Sequence, residues 1–158
     1  MKGDPKVLET LNRLLADELT AISQYMVHSE MCDDWGYEGL HKSIEKQAVD
    51  EMHHAESLIG RILFLEGTPV VTKLNPMKIG KTVAEMVAFD LEAELGAVKA
   101  YNEGIGVTTA AGDEGSAELL RKIVQDEEAH VDWNEAQIEQ IDQMGVQNYL
   151  ATKNRSED

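Results

Sequence analysis

A repeat with a spacing of 76 residues limits the ways in which this chain can fold. Residues 15–25 (LADELTAISQY) match residues 91–101 (LEAELGAVKAY) at that offset, with identical residues at five positions. The same offset places residues 49–56 (VDEMHHAE) on residues 125–132 (QDEEAHVD). Each half is therefore expected to be a helix with one Glu, followed 33 residues later by a Glu-x-x-His motif on a second helix.

Hydrophobic residues recur at intervals of three and four along most of the chain, which is the pattern of amphipathic helices. In the first segment these residues are Leu8, Leu11, Leu15, Leu19, Ile22 and Met26. Asp4 and Pro5 are residue types that begin a helix, and Gly145 is a type that ends one. We predict long helices over about 5–33, 38–65, 82–109 and 115–144, and a short helix over 146–153.

The lengths of the connections predict how these helices are arranged. Short links join the first helix to the second and the third to the fourth, which favours two antiparallel hairpins. Residues 67–81 contain Pro69, Pro76 and Gly80 without helical periodicity, and they are long enough to run the length of a bundle. The expected fold class is all-α: a four-helix bundle of two hairpins joined by one crossover, as a single domain over residues 1–158.

Composition and charge exclude several classes of protein. The net charge of −16 argues against binding nucleic acid through phosphate neutralisation. The single Cys32 cannot form a disulfide framework or an all-cysteine metal site within one chain. The sequence shows neither a secretory signal nor a run of about 20 apolar residues, so we expect a cytoplasmic protein without a membrane segment.

One glutamate of every long helix falls on the apolar stripe that should face the core. A buried carboxylate is costly when it is unpaired, and these stripes carry no Lys or Arg. Two divalent cations would balance four carboxylates, and Glu-x-x-His places both of its side chains on one helix face. This set matches the ligands of carboxylate-bridged dimetal bundles. The candidate ligands are Glu18, Glu51, His54, Glu94, Glu127 and His130.

The types of ligand indicate which metal and which reaction the site would support. Mixed carboxylate and imidazole ligands suit iron or manganese. Zinc would also bind, but it has no redox chemistry. Oxidation of ferrous iron by dioxygen is the simplest reaction for two adjacent irons.

Several longer stretches resemble bacterioferritin, the haem-containing branch of the ferritins, over nearly the whole chain. They are LNRLLADELTAISQY, VDEMHHAE, RILFLEGTP, DEEAHVDWNEAQ and MGVQNYL. The resemblance implies a ferritin-like fold and a shell of 24 identical subunits, built from two-fold dimers, that stores iron as a ferric mineral. It implies a di-iron ferroxidase, with dioxygen or peroxide as the oxidant and an electron-donating ferredoxin as a partner for iron release.

The resemblance also assigns roles to individual residues. The six candidate ligands match the ferroxidase ligands, with Glu51 and Glu127 bridging two irons, and Tyr25 matches a tyrosine implicated in electron transfer. Haem b would lie between two subunits, and Met52 matches the methionine that each subunit supplies to it. Residues of the first helix that could help to line the haem pocket are Leu19, Ile22, Ser23 and Met26.

For other polar residues the sequence predicts no role in the metal or haem site. His28 is expected at the surface or lining the shell, and Asp50 and Asp126 either attract cations or face water. Some bacterioferritins carry a histidine one turn before Asp50, as part of an iron site on the inner surface. Lys46 occupies that position here, which puts such a site in doubt.

Two alternatives from other functional classes remain open. The chain could be a haem-carrying structural subunit of a mixed ferritin shell without its own oxidase activity, although the complete set of six ligands argues against this. It could also be a DNA-protecting miniature ferritin, but that function calls for a basic tail, and this acidic chain ends in KNRSED.

Overall fold

A computed structural model describes residues 1–154 as four long helices and a short one. The helices are α1 (Pro5–Asp34), α2 (Glu38–Phe64), α3 (Val83–Ala110), α4 (Glu114–Met144) and α5 (Val146–Ala151). Helix α1 packs along α2 and α3 along α4, and the two hairpins meet through α1 with α3 and through α2 with α4. The predicted all-α four-helix bundle with a short C-terminal helix is confirmed. The last four residues of the KNRSED tail, and of the predicted domain 1–158, lie outside the described residues.

The helix ends follow local rules, and α5 ends earlier than predicted. Thr82 Oγ1 accepts from the backbone N–H of Glu85 at 3.2 Å, as expected for a capping box. The Glu85 carboxylate, however, accepts from the N–H of Lys81 at 2.7 Å, one residue before the position that the motif predicts. Helix α5 ends at Ala151 rather than near 153, because the N–H groups of Thr152 and Lys153 bond to carbonyls three residues back and form a turn.

The hydrophobic core has two parts, which are separated on each long helix by buried polar residues. One part contains Leu11, Leu15, Leu58, Ile62 and Leu120, all fully buried. The other part contains Tyr25, Leu40, Ile44, Met86 and Val87. The predicted metal ligands therefore lie in the middle of the bundle, with apolar packing above and below them. No helix within residues 1–154 has the length and apolar character that a bilayer-spanning segment requires.

The crossover between α2 and α3 runs along α1, and polar side chains of α1 hold its main chain. Asn12 donates to the carbonyl of Thr68 at 3.2 Å and accepts from the N–H of Val70 at 2.8 Å. Further along, Thr20 Oγ1 accepts from the N–H of Asn75 at 2.9 Å. These contacts, continued by Gln24 and His28, follow α1 for sixteen residues or about 24 Å, so the prediction that this link runs along the bundle is correct.

His28 is fully buried, so the expectation of a surface or shell-lining histidine is wrong. Its Nε2 accepts from the N–H of Gly80 at 2.9 Å, which places the ring proton on Nδ1. That nitrogen donates to Asp90 Oδ1 at 2.8 Å. The same oxygen accepts from Gln24 Nε2 at 2.8 Å, and Gln24 Oε1 accepts from the N–H of Lys78 at 3.2 Å. This network ties α1, α3 and the crossover together.

Replacing Asp90 with Ala should destabilise the bundle, because it leaves the buried donors of Gln24 and His28 without an acceptor. We expect the free energy of unfolding to fall by about 2–4 kcal/mol. Thermal unfolding followed by circular dichroism measures the change. The exposed Asp142→Ala on α4 is the control and should stay within about 0.5 kcal/mol of the parent protein. Equal midpoints for the two variants would contradict the role of the network.

Candidate metal centre

The structure brings all six predicted ligands together in the middle of the bundle. Each has a fractional exposure of 6% or less. They form two overlapping groups, and within each group one ligand atom per residue lies within 4.8 Å of the others. Glu51 and Glu127 belong to both groups, so their carboxylates lie between two potential ion positions. The first group adds Glu18 and His54, and the second adds Glu94 and His130.

Several distances within the two groups are short enough for atoms that share an ion. His54 Nδ1 lies 2.8 Å from Glu127 Oε1, and His130 Nδ1 lies 2.9 Å from Glu51 Oε1 and 3.3 Å from Glu94 Oε1. Neighbouring ligands of an octahedral ion with bonds of about 2.1 Å lie about 3.0 Å apart. Despite these short distances, both Nδ1 atoms lack a hydrogen-bond partner within residues 1–154.

Unpartnered carboxylate oxygens face the same space. Among the described residues, Glu18 Oε2, Glu51 Oε1, Glu94 Oε2 and both oxygens of Glu127 are buried without a hydrogen-bond partner. Every ion pair that these glutamates form within residues 1–154 is with His54 or His130, so no Lys or Arg balances them. Leaving so many buried polar atoms unpaired is costly, and cations bound among them would satisfy them all. The donor set therefore fits a pair of divalent metal ions.

Two buried tyrosines hold the outer glutamates in place. Tyr25 donates its hydroxyl to Glu94 Oε1 at 2.5 Å, and Tyr101 donates to Glu18 Oε1. Burial and the nearby carboxylates raise the pKa of both phenols, so both remain protonated donors. Each glutamate keeps its Oε2 free for a cation. Tyr101 was absent from the predicted site, although the repeat had already paired it with Tyr25.

Two aspartates orient the histidines, and neither was predicted to do so. Asp126 Oδ2 lies 2.9 Å from His54 Nε2, and Asp50 Oδ2 lies 3.1 Å from His130 Nε2. A carboxylate acceptor at Nε2 keeps the proton of a neutral imidazole there and leaves the Nδ1 lone pair free for a metal. The repeat aligns Asp50 with Asp126, and this equivalence was the sequence signal that could have indicated their shared role. Lys46 Nζ in turn bonds to Asp50 at 3.0 Å.

Burial and mutual repulsion make the cluster bind protons when no cation is present. Burial raises the pKa of Glu18 well above its ordinary value, and the neighbouring Glu51 raises it further. Burial also raises the pKa of Glu127. Burial alone would lower the pKa of His130, but its contacts with Glu51 and Glu94 outweigh this and raise it to about 10. Metal binding must therefore displace protons, so affinity for divalent ions should increase as pH rises.

Met52 lies outside this cluster, although it follows Glu51 directly. It is 48% exposed, whereas Glu51 is 1% exposed, as expected for adjacent positions about 100° apart around a helix. Val49, one turn before Met52, is also exposed. On α1, Leu19, Ile22 and Ser23 are partly buried, whereas Met26 is 51% exposed.

Removing the carboxylate of Asp126 should weaken metal binding without removing a ligand. In Asp126→Ala, His54 loses the acceptor that orients its ring, and affinity for cobalt(II) should fall by about tenfold, the low end for such partners because Asp126 is exposed. Anaerobic titration followed by the visible absorption of bound cobalt measures this. Asp132→Ala, another exposed aspartate of α4, should retain parental affinity. An unchanged affinity in Asp126→Ala would remove Asp126 from the site.

Comparison with known proteins agrees with this architecture. A family model described as a ferritin-like domain matches residues 8–144. The bacterioferritin of Rhodobacter capsulatus is 44% identical over 149 residues, which cover 94% of this chain and 92% of the relative. The bacterial ferritin of Synechocystis sp. is 44% identical over 97% of this chain and 99% of the relative. Bacterioferritin BfrA of Mycobacterium tuberculosis is 42% identical over 96% and 95%. This chain belongs to the ferritin family, in its bacterioferritin branch.

Proposed function

We propose that this protein stores iron and that its buried glutamate–histidine cluster oxidises ferrous to ferric iron. One observation carries the proposal: four buried carboxylates and two histidines direct unpartnered atoms into one space, and no Lys or Arg among the described residues pairs with them. Carboxylate and imidazole donors suit iron. The bacterioferritin relatives support iron storage as the purpose of the reaction.

The six candidate ligands would be distributed over two ions. Glu18 and His54 would serve one ion and Glu94 and His130 the other, while Glu51 and Glu127 would bridge them. Two ferrous ions held there would each give up one electron. These two electrons, with two protons from solvent, would reduce dioxygen to hydrogen peroxide or hydrogen peroxide to two waters. Tyr25 holds Glu94 by a hydrogen bond, and we propose that it also passes an electron when the oxidant requires one.

The product would be deposited inside a shell of 24 copies of this chain, built from two-fold dimers. The acidic character of the chain suits the attraction of ferrous ions toward such a particle. Release of stored iron needs reduction, for which we propose an electron-donating ferredoxin as a partner. A shell of this kind would act in the cytoplasm.

Removal of two ligands tests the oxidase assignment. In the double variant Glu18→Ala and Glu51→Ala, one ion would lose two carboxylate ligands and the other would lose the bridging carboxylate of Glu51. Oxidation of ferrous iron should slow by roughly 100-fold or more, since loss of an orienting partner alone costs about 10–100-fold. Stopped-flow absorbance after mixing anaerobic ferrous protein with oxygen measures the rate.

The control replaces two exposed glutamates of the other hairpin, Glu103→Ala with Glu118→Ala, and should oxidise iron at the parental rate. Size-exclusion chromatography checks that all particles have the same size. Fast oxidation in the Glu18 and Glu51 variant would show that the ligand assignment is wrong. A parental particle of the expected size without any oxidase activity would instead favour the structural-subunit alternative.

We also propose that haem b binds between two copies of the chain and that Met52 of each copy would hold its iron. The side chain suits this role in type, because a thioether can hold haem iron. It suits it in position too, because Met52 is exposed beside the apolar Val49 rather than packed in the core. A two-fold axis past this face would bring the two Met52 side chains together. Met26 is the exposed residue of α1 proposed to help line the pocket.

Substitution of Met52 tests the haem site. Met52→Leu should abolish the haem Soret band on titration with haemin, and Met52→His should shift it, because the residue that would hold the iron changes. Met144→Leu, another partly exposed methionine near the end of α4, should behave like the parental protein. Unaltered spectra in both Met52 variants, with particle size preserved, would count against the assignment.

A further inference from the structure

Tyr101 is a second buried phenol that contacts the metal cluster. Its side chain is 1% exposed, as is that of Tyr25. Tyr101 donates its hydroxyl to Glu18 Oε1, whereas Tyr25 donates to Glu94 Oε1. Glu18 and Glu94 belong to different ligand groups, so each potential ion position has one phenol bound to its outer glutamate.

Only one carboxylate separates Tyr101 from the space that a metal ion would occupy. Glu18 Oε1 accepts from the phenol, and Glu18 Oε2 is buried without a hydrogen-bond partner within residues 1–154. That second oxygen lies 3.8 Å from His54 Nδ1, which belongs to the same ligand group. An electron that left the phenol for an ion at Oε2 would therefore cross one hydrogen bond and one carboxylate.

The same carboxylate allows Tyr101 to lose an electron without leaving a buried charge. Tyr101 packs in the apolar cluster that contains Leu11, Leu15 and Leu120. A phenol that lost an electron and kept its proton would place a positive charge among these side chains, which is costly. Because the hydroxyl already points at Glu18, the proton can move to the carboxylate as the electron leaves. The phenoxyl radical that forms is then neutral and shielded from solvent.

Tyr149 is a buried phenol that lacks these contacts. It is as inaccessible as Tyr101, but its hydroxyl donates to the amide oxygen Oε1 of Gln137 at 2.8 Å. An amide oxygen accepts a hydrogen bond but is a far weaker base than a carboxylate. Gln137 also lies outside both ligand groups. Tyr149 is therefore a matched control for a phenol that is buried without contacting the cluster.

Reduction of dioxygen to water needs more electrons than two ferrous ions supply. Dioxygen takes up four electrons and four protons to form two waters, and the two ions provide two of these electrons. Tyr25 and Tyr101 would provide the other two, and each would pass its proton to the glutamate that it contacts. With two protons from solvent, the reaction balances. Two ferrous ions, two phenols, one dioxygen and two protons give two ferric ions, two phenoxyl radicals and two waters.

We propose that Tyr101 is a redox-active residue and that, together with Tyr25, it lets the site reduce dioxygen to water in one encounter with two ferrous ions. Two further ferrous ions then reduce the two radicals, and each phenol regains a proton. The inference rests on the proposed function, since it concerns the electrons that the oxidase reaction uses. Loss of Tyr101 should therefore change the product formed from dioxygen, and not only the rate at which iron is oxidised.

The yield of hydrogen peroxide measures that product. Anaerobic protein holding two ferrous ions per subunit is mixed with excess dioxygen, and peroxide is assayed in the released solution. The parental protein and Tyr149→Phe should release almost none. In Tyr101→Phe the yield should rise to nearly one molecule for every two irons, because three electrons cannot complete two waters. Tyr25→Phe and the double variant should give this same yield, since water formation needs both phenols.

Replacement of Tyr101 with 3-fluorotyrosine separates electron donation from hydrogen bonding. The fluorinated ring keeps the hydroxyl that donates to Glu18. Its fluorine splits the electron paramagnetic resonance signal of a phenoxyl radical only when the unpaired electron lies on that ring. Samples frozen shortly after mixing with dioxygen should show a radical in the parental protein and the fluorine splitting in the substituted one. The same replacement at Tyr149 should leave the parental spectrum unchanged.

These measurements distinguish the inference from the proposed function. A radical without fluorine splitting from Tyr101 would overturn the inference. Slower iron oxidation in Tyr101→Phe with an unchanged yield of peroxide would also overturn it, because Tyr101 would then only hold Glu18 in place. If Tyr101→Phe does not assemble, the fluorine measurement decides. Failure of the parental protein to oxidise ferrous iron would instead overturn the proposed function.

Discussion

Four carboxylates are buried at one level of the helical bundle, and the structure around them must compensate their charge. Repulsion among them would push the helices apart if nothing compensated, and the described protein supplies no Lys or Arg at this level. It supplies two phenols, two imidazoles and the space for cations instead. The apolar clusters on either side provide the packing that holds the helices while the middle layer remains polar. Such a protein gives up some stability in its centre in exchange for reactive chemistry.

The supporting contacts of the cluster all cross between the two halves of the repeat. Tyr25 of the first half donates a hydrogen bond to Glu94 of the second, and Tyr101 of the second half donates one to Glu18 of the first. The histidines and their aspartates cross in the same way. A hairpin alone would therefore contain ligands without the groups that orient them, and the site is complete only when the hairpins pack together.

The sequence was sufficient for the helices and for the six clustered side chains because both produce periodic signals. The sequence was insufficient where the hydrogen-bond partner of a side chain lies in a segment that has no hydrophobic periodicity. His28 belongs to a row of polar residues of α1 that resembles a solvated face, but that row binds the main chain of the crossover. Asp50 and Asp126 were visible as a repeated pair, yet their contacts depend on how α2 and α4 face each other. The inference of a haem ligand at Met52 came only from family resemblance, because an exposed methionine alone specifies no ligand.

The crossover is bound largely through its backbone amides and carbonyls, and this leaves most of its side chains unconstrained. Asn75 and Lys78 contribute side-chain contacts, and Gly80 has no room for a larger residue against Met86. Substitutions at its other positions should leave the path of the segment unchanged, because the main chain makes the contacts. It is accordingly a suitable place for a foreign peptide, which would be displayed along the side of the bundle at a defined position.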